Sequence, residues 1–192
     1  MMKEKIVCFV KLATIYLLIY LITTIGFVGL FHTPILKSLD VFMYRGIVFI
    51  IMCAVIAAII MLIIKKCKYN TLISFKDIGL LFCLCCSINM VLFTMLPVTV
   101  ERSVSVFMLS YMYENEDEPL TEEEMSEIFV EKYVNEYQAF DKRFNEQIVS
   151  GNIEKTDDGY VITSTGKKIV DMFRTMAEWF DTDRRIVYPN EN

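Results

Sequence analysis

The sequence predicts a mainly α membrane protein, with three transmembrane helices followed by a small α+β soluble domain. Composition is the first reason: 55% of the 192 residues are hydrophobic, above the roughly 45 to 50% usual for soluble domains. Charge is the second. Residues 1–112 carry ten Lys or Arg against four acids, a net +6, whereas residues 113–192 carry nine against twenty, a net −11. An apolar, basic half joined to an acidic half is the pattern of a membrane module fused to a water-soluble one. The two meet in the stretch 78–113, where 23 uncharged residues give way to Glu101 and Arg102 and then to the apolar pattern SVSVFMLSYMY.

The first span is expected at 6–31. Its uncharged run from Leu12 to Leu36 exceeds the roughly 7 to 15 residues of a signal-peptide core, and no small-x-small cleavage site closes it. It is therefore read as a retained transmembrane helix, with Lys11 able to reach the headgroups. Pro34 ends it. A second span is expected at 41–64, with Arg45 at its near edge and 19 uncharged residues from Gly46. The third is expected at 78–100, with Pro97 near its end.

The loop KKCKYNTLISFKD holds Lys65, Lys66, Lys68 and Lys76, while the connection around Lys37 holds one lysine. Excess Lys/Arg in short loops marks the cytoplasmic side. The loop and the amino terminus, with Lys3 and Lys5, are placed on the cytoplasmic side of a bacterial cell membrane, and three spans then put the carboxyl domain outside. A re-entrant third segment would reverse that placement. All six cysteines, Cys8, Cys53, Cys67, Cys83, Cys85 and Cys86, lie in the membrane half. They read as small polarizable residues packed between helices, with Cys67, beside its lysines, also an acylation candidate.

In the soluble half, Val104, Phe107, Met108 and Tyr111 fall on one helical face. After the acidic run ENEDEP, Thr121 and Glu124 form a capping box that opens a second helix, whose buried face includes Met125, Ile128 and Phe129. A third helix presents Tyr137, Phe140, Phe144 and Ile148 and ends at Gly151. NIEKTDDGYVIT reads as a hairpin turning at Asp157, Asp158 and Gly159. A last helix, capped at Thr163 or Ser164, carries Ile169, Met172, Phe173, Met176 and Phe180 on one side, with Trp179 beside them. Residues 181–192 read as a polar tail.

Three helices, a hairpin and a closing helix resemble the winged helix-turn-helix fold over residues 101–180. The piece SGNIEKTDDGYVITSTGKKIV is similar to the wing of bacterial winged-helix regulators. That resemblance implies DNA binding through the third helix and the wing, and this sequence departs from it. Lys142 and Arg143 are offset by Asp141 and Glu146, Lys155 lies among Glu154, Asp157 and Asp158, and the half is at −11. Binding duplex DNA requires basic residues that neutralise phosphates, so contact with protein is the better reading. The partner-surface candidates are Lys142, Arg143, Asp157, Asp158 and Tyr160. The whole layout, with its VTVERSVSV junction, also resembles uncharacterised small membrane proteins of bacterial surface-polysaccharide gene neighbourhoods. This implies an accessory role beside a glycosyltransferase or lipid-linked sugar enzyme.

Enzymatic signatures are sparse. One histidine, His32, excludes paired-histidine metal motifs, and no Walker, dinucleotide or nucleophile-elbow pattern occurs. The acids Glu114, Glu116, Asp117 and Glu118 read as a solvated linker. The polar group singled out is Arg45, Glu101 and Arg102, with His32 and Lys37 at similar depth: two guanidinium groups able to hold a lipid phosphate. The expectation is a non-enzymatic accessory or scaffolding membrane protein with no cofactor and no metal, in contact with membrane lipids and an integral membrane partner. The runner-up is a membrane-tethered winged-helix transcription regulator, and a third reading is a lipid-phosphate enzyme using Glu101 as its base.

Overall fold

The computed structural model describes residues 2–67, 69–117 and 119–190; Lys68 of the basic loop and Glu118 of the acidic run lie outside the described residues. The chain divides into two compact units, Met1–Val106 and Phe107–Asn192.

The first unit is built on α1 (Met2–Phe31), α2 (Phe42–Cys67) and α3 (Phe75–Met95). The segments long and apolar enough to cross a membrane are Met2–Phe31, Phe42–Cys67 and Phe75–Arg102, the last running past the end of α3. α1 starts four residues before the expected 6. α2 runs past 64 because Lys65 does not leave for solvent: it is buried, and its Nζ donates to the carbonyls of Asn70 and Ile73. The lysine thereby satisfies backbone acceptors in the loop that the helix end feeds. α3 opens on a capping box, with Ser74 as N-cap and Asp77 returning the bond, three residues ahead of the expected Ile78. The Tyr16 hydroxyl donates to the Asp77 carbonyl at 2.8 Å and ties α1 to this end of α3.

α3 stops at Met95, five residues short of the expected span. Pro97 cannot continue the helix, since its ring clashes with the carbonyl four residues back, and it disfavours helical backbone at Leu96. Leu96 accordingly sits at φ −106°, ψ −82°, and Pro97 opens a separate short helix, α4 (Pro97–Arg102). Ser103 is extended (φ −89°, ψ 120°), and its Oγ accepts from the Val106 amide at the start of α5 (Val104–Glu114). The continuous rod implied by the apolar pattern is therefore interrupted twice.

α2 packs against both neighbours, whereas α1 and α3 meet more sparsely. Two apolar clusters result. One gathers Ile19, Ala54, Ala57, Met61, Ile73, Leu81 and Cys85. The other gathers Phe27, Phe49, Ile50, Cys53 and Phe93, with Phe31 and Phe42 packed on it. Gly46 decides the second cluster, because the Phe93 ring occupies the position where its Cβ would stand. Small residues of this kind let helices approach closely where lipid supplies no hydrophobic drive.

In the second unit, α6 (Glu122–Ile128) begins at the predicted Thr121–Glu124 capping box. Donation from the Thr121 amide lowers the Glu124 pKa below the usual carboxylate range. α6 continues into a π-helical stretch, Phe129–Glu136, closed by the Tyr137 amide bonding to Lys132. The wider turn sets Phe129, Tyr133 and Tyr137 around Phe107 of α5, at centroid distances of 5.9, 5.2 and 6.0 Å. Tyr137 thus belongs to this cluster and not to the third helix, where its spacing had put it. Gln138 is left-handed (φ 52°), and α7 (Ala139–Val149) starts after it.

α7 ends at Ser150, followed by Gly151 at φ +69°, the conformation a glycine adopts without strain. Strands β1 (Ile153–Thr156) and β2 (Gly159–Ile162) pair antiparallel with Thr156 opposite Gly159, leaving Asp157 and Asp158 as the two-residue turn. Helix α8 (Ser164–Phe180) is capped by Thr163. The Thr163 hydroxyl accepts from the Gly166 amide and donates to the Gly151 carbonyl at 2.7 Å, fastening α8 to the base of the hairpin. The segment read as a polar tail folds back onto α8. Arg174 donates to the Val187 carbonyl, and its guanidinium lies 4.6 Å from the Tyr188 ring centroid.

Candidate functional site

The residues singled out for lipid phosphate lie at one end of the first unit, on α2 and α4. Arg45 is half-buried: its Nη2 donates to the Thr33 carbonyl at 2.9 Å and its guanidinium lies over Phe31 and Phe49 at 5.7 and 5.2 Å. One Nη2 hydrogen bond thus goes into closing the α1–α2 connection, while the buried Nε has no partner among the described residues. Glu101 and Arg102 approach each other at 4.0 Å on α4.

Of the partner-surface candidates, Arg143 is the most altered by its surroundings. Its Nη1 lies 2.7 Å from both carboxylate oxygens of Glu146, a buried residue one turn on. A buried carboxylate is sustained by such a charged hydrogen bond, so this cation serves α7 itself. Lys142, Asp157 and Asp158 are exposed. Tyr160 packs edge-on against Phe144 at 4.9 Å, which joins the hairpin to α7, while part of its surface stays open. Phe140, which the spacing set on one face of the third helix with Phe144, is exposed and stacks on Phe144 of its own helix.

For α8 the sequence reading set the apolar residues on one side without saying what covers it. Met172, Phe173, Met176 and Phe180 do share one side with Trp179, as the spacing requires, but that side is open. Phe173 is 49% exposed, Trp179 74% and Phe180 75%. The face that packs inward is instead Gly166 and Ala177, flanked by Ile169 and Val170. Small residues turn inward because α8 lies tight on the hairpin base: the Asn152 carbonyl occupies the space where a Gly166 Cβ would stand. The folded-back segment adds Ile186 and Val187 to the open face, bounding a groove of about 730 Å³.

Sequence reasoning missed a second feature, inside the first unit. Thr24 on α1 donates to Asn89 Oδ1 on α3 at 3.0 Å, between the two apolar clusters. Asn89 is fully buried, and its Nδ2 has no hydrogen-bond partner among the described residues. The signal was present in the sequence: an amide inside a 23-residue uncharged run is costly in hydrocarbon unless it is used. For metals, no group of three or more His, Cys, Asp or Glu side chains among the described residues is placed to hold an ion.

Residues 106–181 are similar to a family described as a domain of unknown function, DUF4364; the match spans less than half of the chain. No curated protein and no solved structure matches the chain.

Proposed function

We propose that this is a non-enzymatic accessory or scaffolding membrane protein, which docks a cell-envelope glycosyltransferase or lipid-linked sugar enzyme through the open face of α8. In this reading α1, α2 and α3 cross a bacterial cell membrane, the amino terminus is cytoplasmic, and the second unit is an extracytoplasmic winged-helix-like domain. The helix–turn–helix formed around Gln138, followed by the Asp157–Asp158 hairpin, supports the winged-helix resemblance.

The observation that carries the proposal is the α8 face. Phe173, Trp179 and Phe180 alone leave open roughly 400 Å² at the 150 to 250 Å² typical of an aromatic side chain. Monomeric soluble proteins seldom expose contiguous apolar area beyond a few hundred Å² without a binding role, and aromatic residues anchor protein interfaces. The competing reading, a membrane-tethered DNA-binding regulator, needs cations on α7 and the hairpin. There Arg143 is committed to Glu146, and Lys142 and Lys155 stand among acids.

The test is a photo-crosslinking amino acid placed at Trp179 of the full-length protein in its own cells. The expected result is an adduct with an integral membrane enzyme of sugar transfer, lost on Phe173→Glu together with Phe180→Glu. A cytosolic adduct, DNA crosslinking, or an adduct unaffected by those substitutions contradicts the proposal.

A further inference from the structure

We infer that the first unit holds an intramembrane site for a neutral, ring-headed lipid carrying a carbonyl acceptor, the chemistry of an isoprenoid quinone. The site is the cavity of about 380 Å³ between the α4-proximal halves of α1 and α3. Its aromatic walls are Phe27, Phe31, Phe42 and Phe93, and its polar members include Asn89 and His32. The inference rests on the reading that α1–α3 span the bilayer.

Three observations select this occupant. The first is the amide. Asn89 keeps an unpartnered Nδ2 while its Oδ1 is held by Thr24, so the side chain is fixed with its donor group unspent. An unsatisfied donor in an apolar interior is expensive, and a carbonyl oxygen entering the cavity offsets that cost.

The second observation is depth. Asn89 lies six residues before Met95, the last residue of α3, or about 9 Å inward at 1.5 Å per residue. An acyl ester is tied to the headgroup boundary and would have to sink by that distance. A quinone head, with no charge and no glycerol, rests within hydrocarbon. The third is the lining itself. It contains no Lys, Arg, Asp or Glu, so it suits no phosphate, and its rings offer flat faces: Phe31 and Phe93 stack at 5.8 Å with 21° between their planes. The break at Leu96 and Pro97, both of which line the cavity, and the sparse packing of α1 on α3 leave it open toward lipid.

The experiment uses the full-length protein in nanodiscs of phosphatidylethanolamine and phosphatidylglycerol, with an azidobenzoquinone on a short isoprenoid tail as photoprobe. Labelling is expected in segments 24–32 and 89–97. It should be suppressed by the unlabelled quinone and not by dioleoylglycerol. Asn89→Leu should weaken half-saturation about tenfold, as loss of one buried hydrogen bond of ~1.4 kcal/mol would. Leu92→Trp, which fills the cavity and leaves the Asn89–Thr24 bond in place, should abolish labelling even if Asn89→Leu fails to fold. Diffuse labelling of exposed positions such as Ile25 and Val91, equal competition by dioleoylglycerol, or unchanged labelling of either variant overturns the site. Resistance of the same protein to carbonate extraction reports the spanning separately, so a protein that stays in the bilayer but takes no quinone defeats this inference alone.

Discussion

Gly46→Leu is expected to destabilise the first unit strongly. Even the Cβ of the new side chain falls within the Phe93 ring, so Phe93 must leave its place among the rings around it. It is fully buried and faces Phe27, Phe31 and Phe42 at centroid distances of 6.0, 5.8 and 5.3 Å. Overpacking a core costs about 1 to 3 kcal/mol; leucine, larger than the methyl that already clashes, should reach the upper end, ~3 kcal/mol. Gly46→Ala should cost less, and Gly46→Ala with Phe93→Leu should recover most of the loss, because the second change empties the volume that the first needs. Thermal unfolding of the detergent-purified protein, monitored through the helical signal, gives the ranking. Equal stability of Gly46→Leu and the unsubstituted protein would mean that α2 and α3 do not approach each other in this way.

The second large effect is expected at Gly166→Val, in the other unit. Here the obstacle is backbone: the Asn152 carbonyl, with Ile162 Cγ1 at 2.8 Å. That carbonyl also accepts from the Thr163 amide, within the lock that joins the hairpin base to α8. A valine must push α8 off the hairpin and strip the Thr163 cap, itself worth about 1 kcal/mol, so a total near 3 kcal/mol is expected from the clash and the lost cap together. Limited proteolysis of the full chain should then cleave within 153–180 while α1–α3 persist. A protected hairpin in this variant would refute the packing described.

The sequence revealed features set by local chemistry. Both capping boxes are local, and so is the Asp157–Asp158 turn. The long apolar runs announce three membrane-length helices because composition alone sets that length. The helix ends differ from the expected bounds where a single side chain decides them: buried Lys65, bonded to carbonyls five and eight residues on, extends α2, and Pro97 ends α3 within the uncharged run. The candidate sites were less legible. Helical periodicity finds that Met172, Phe173, Met176 and Phe180 share a side, but it cannot say whether anything covers that side, because cover depends on where the hairpin base lies. Asn89 is isolated in sequence, and only its pairing with Thr24, 65 residues away, shows that half of its amide is spent and half is not. Arg143 reads as a surface cation until the fold buries Glu146 beside it.

We propose that the acidic helical domain stands outside the membrane and works there by protein contact. Thiol labelling tests this most directly. In a cysteine-free, full-length background, Asp158→Cys places a single thiol at the exposed tip of the hairpin, away from the paired residues of β1 and β2. The account predicts modification by a membrane-impermeant maleimide in intact cells, with a thiol restored at position 67 reacting only after permeabilisation. Protection of the hairpin thiol in intact cells, with ready labelling at position 67, would contradict it and place the domain in the cytoplasm.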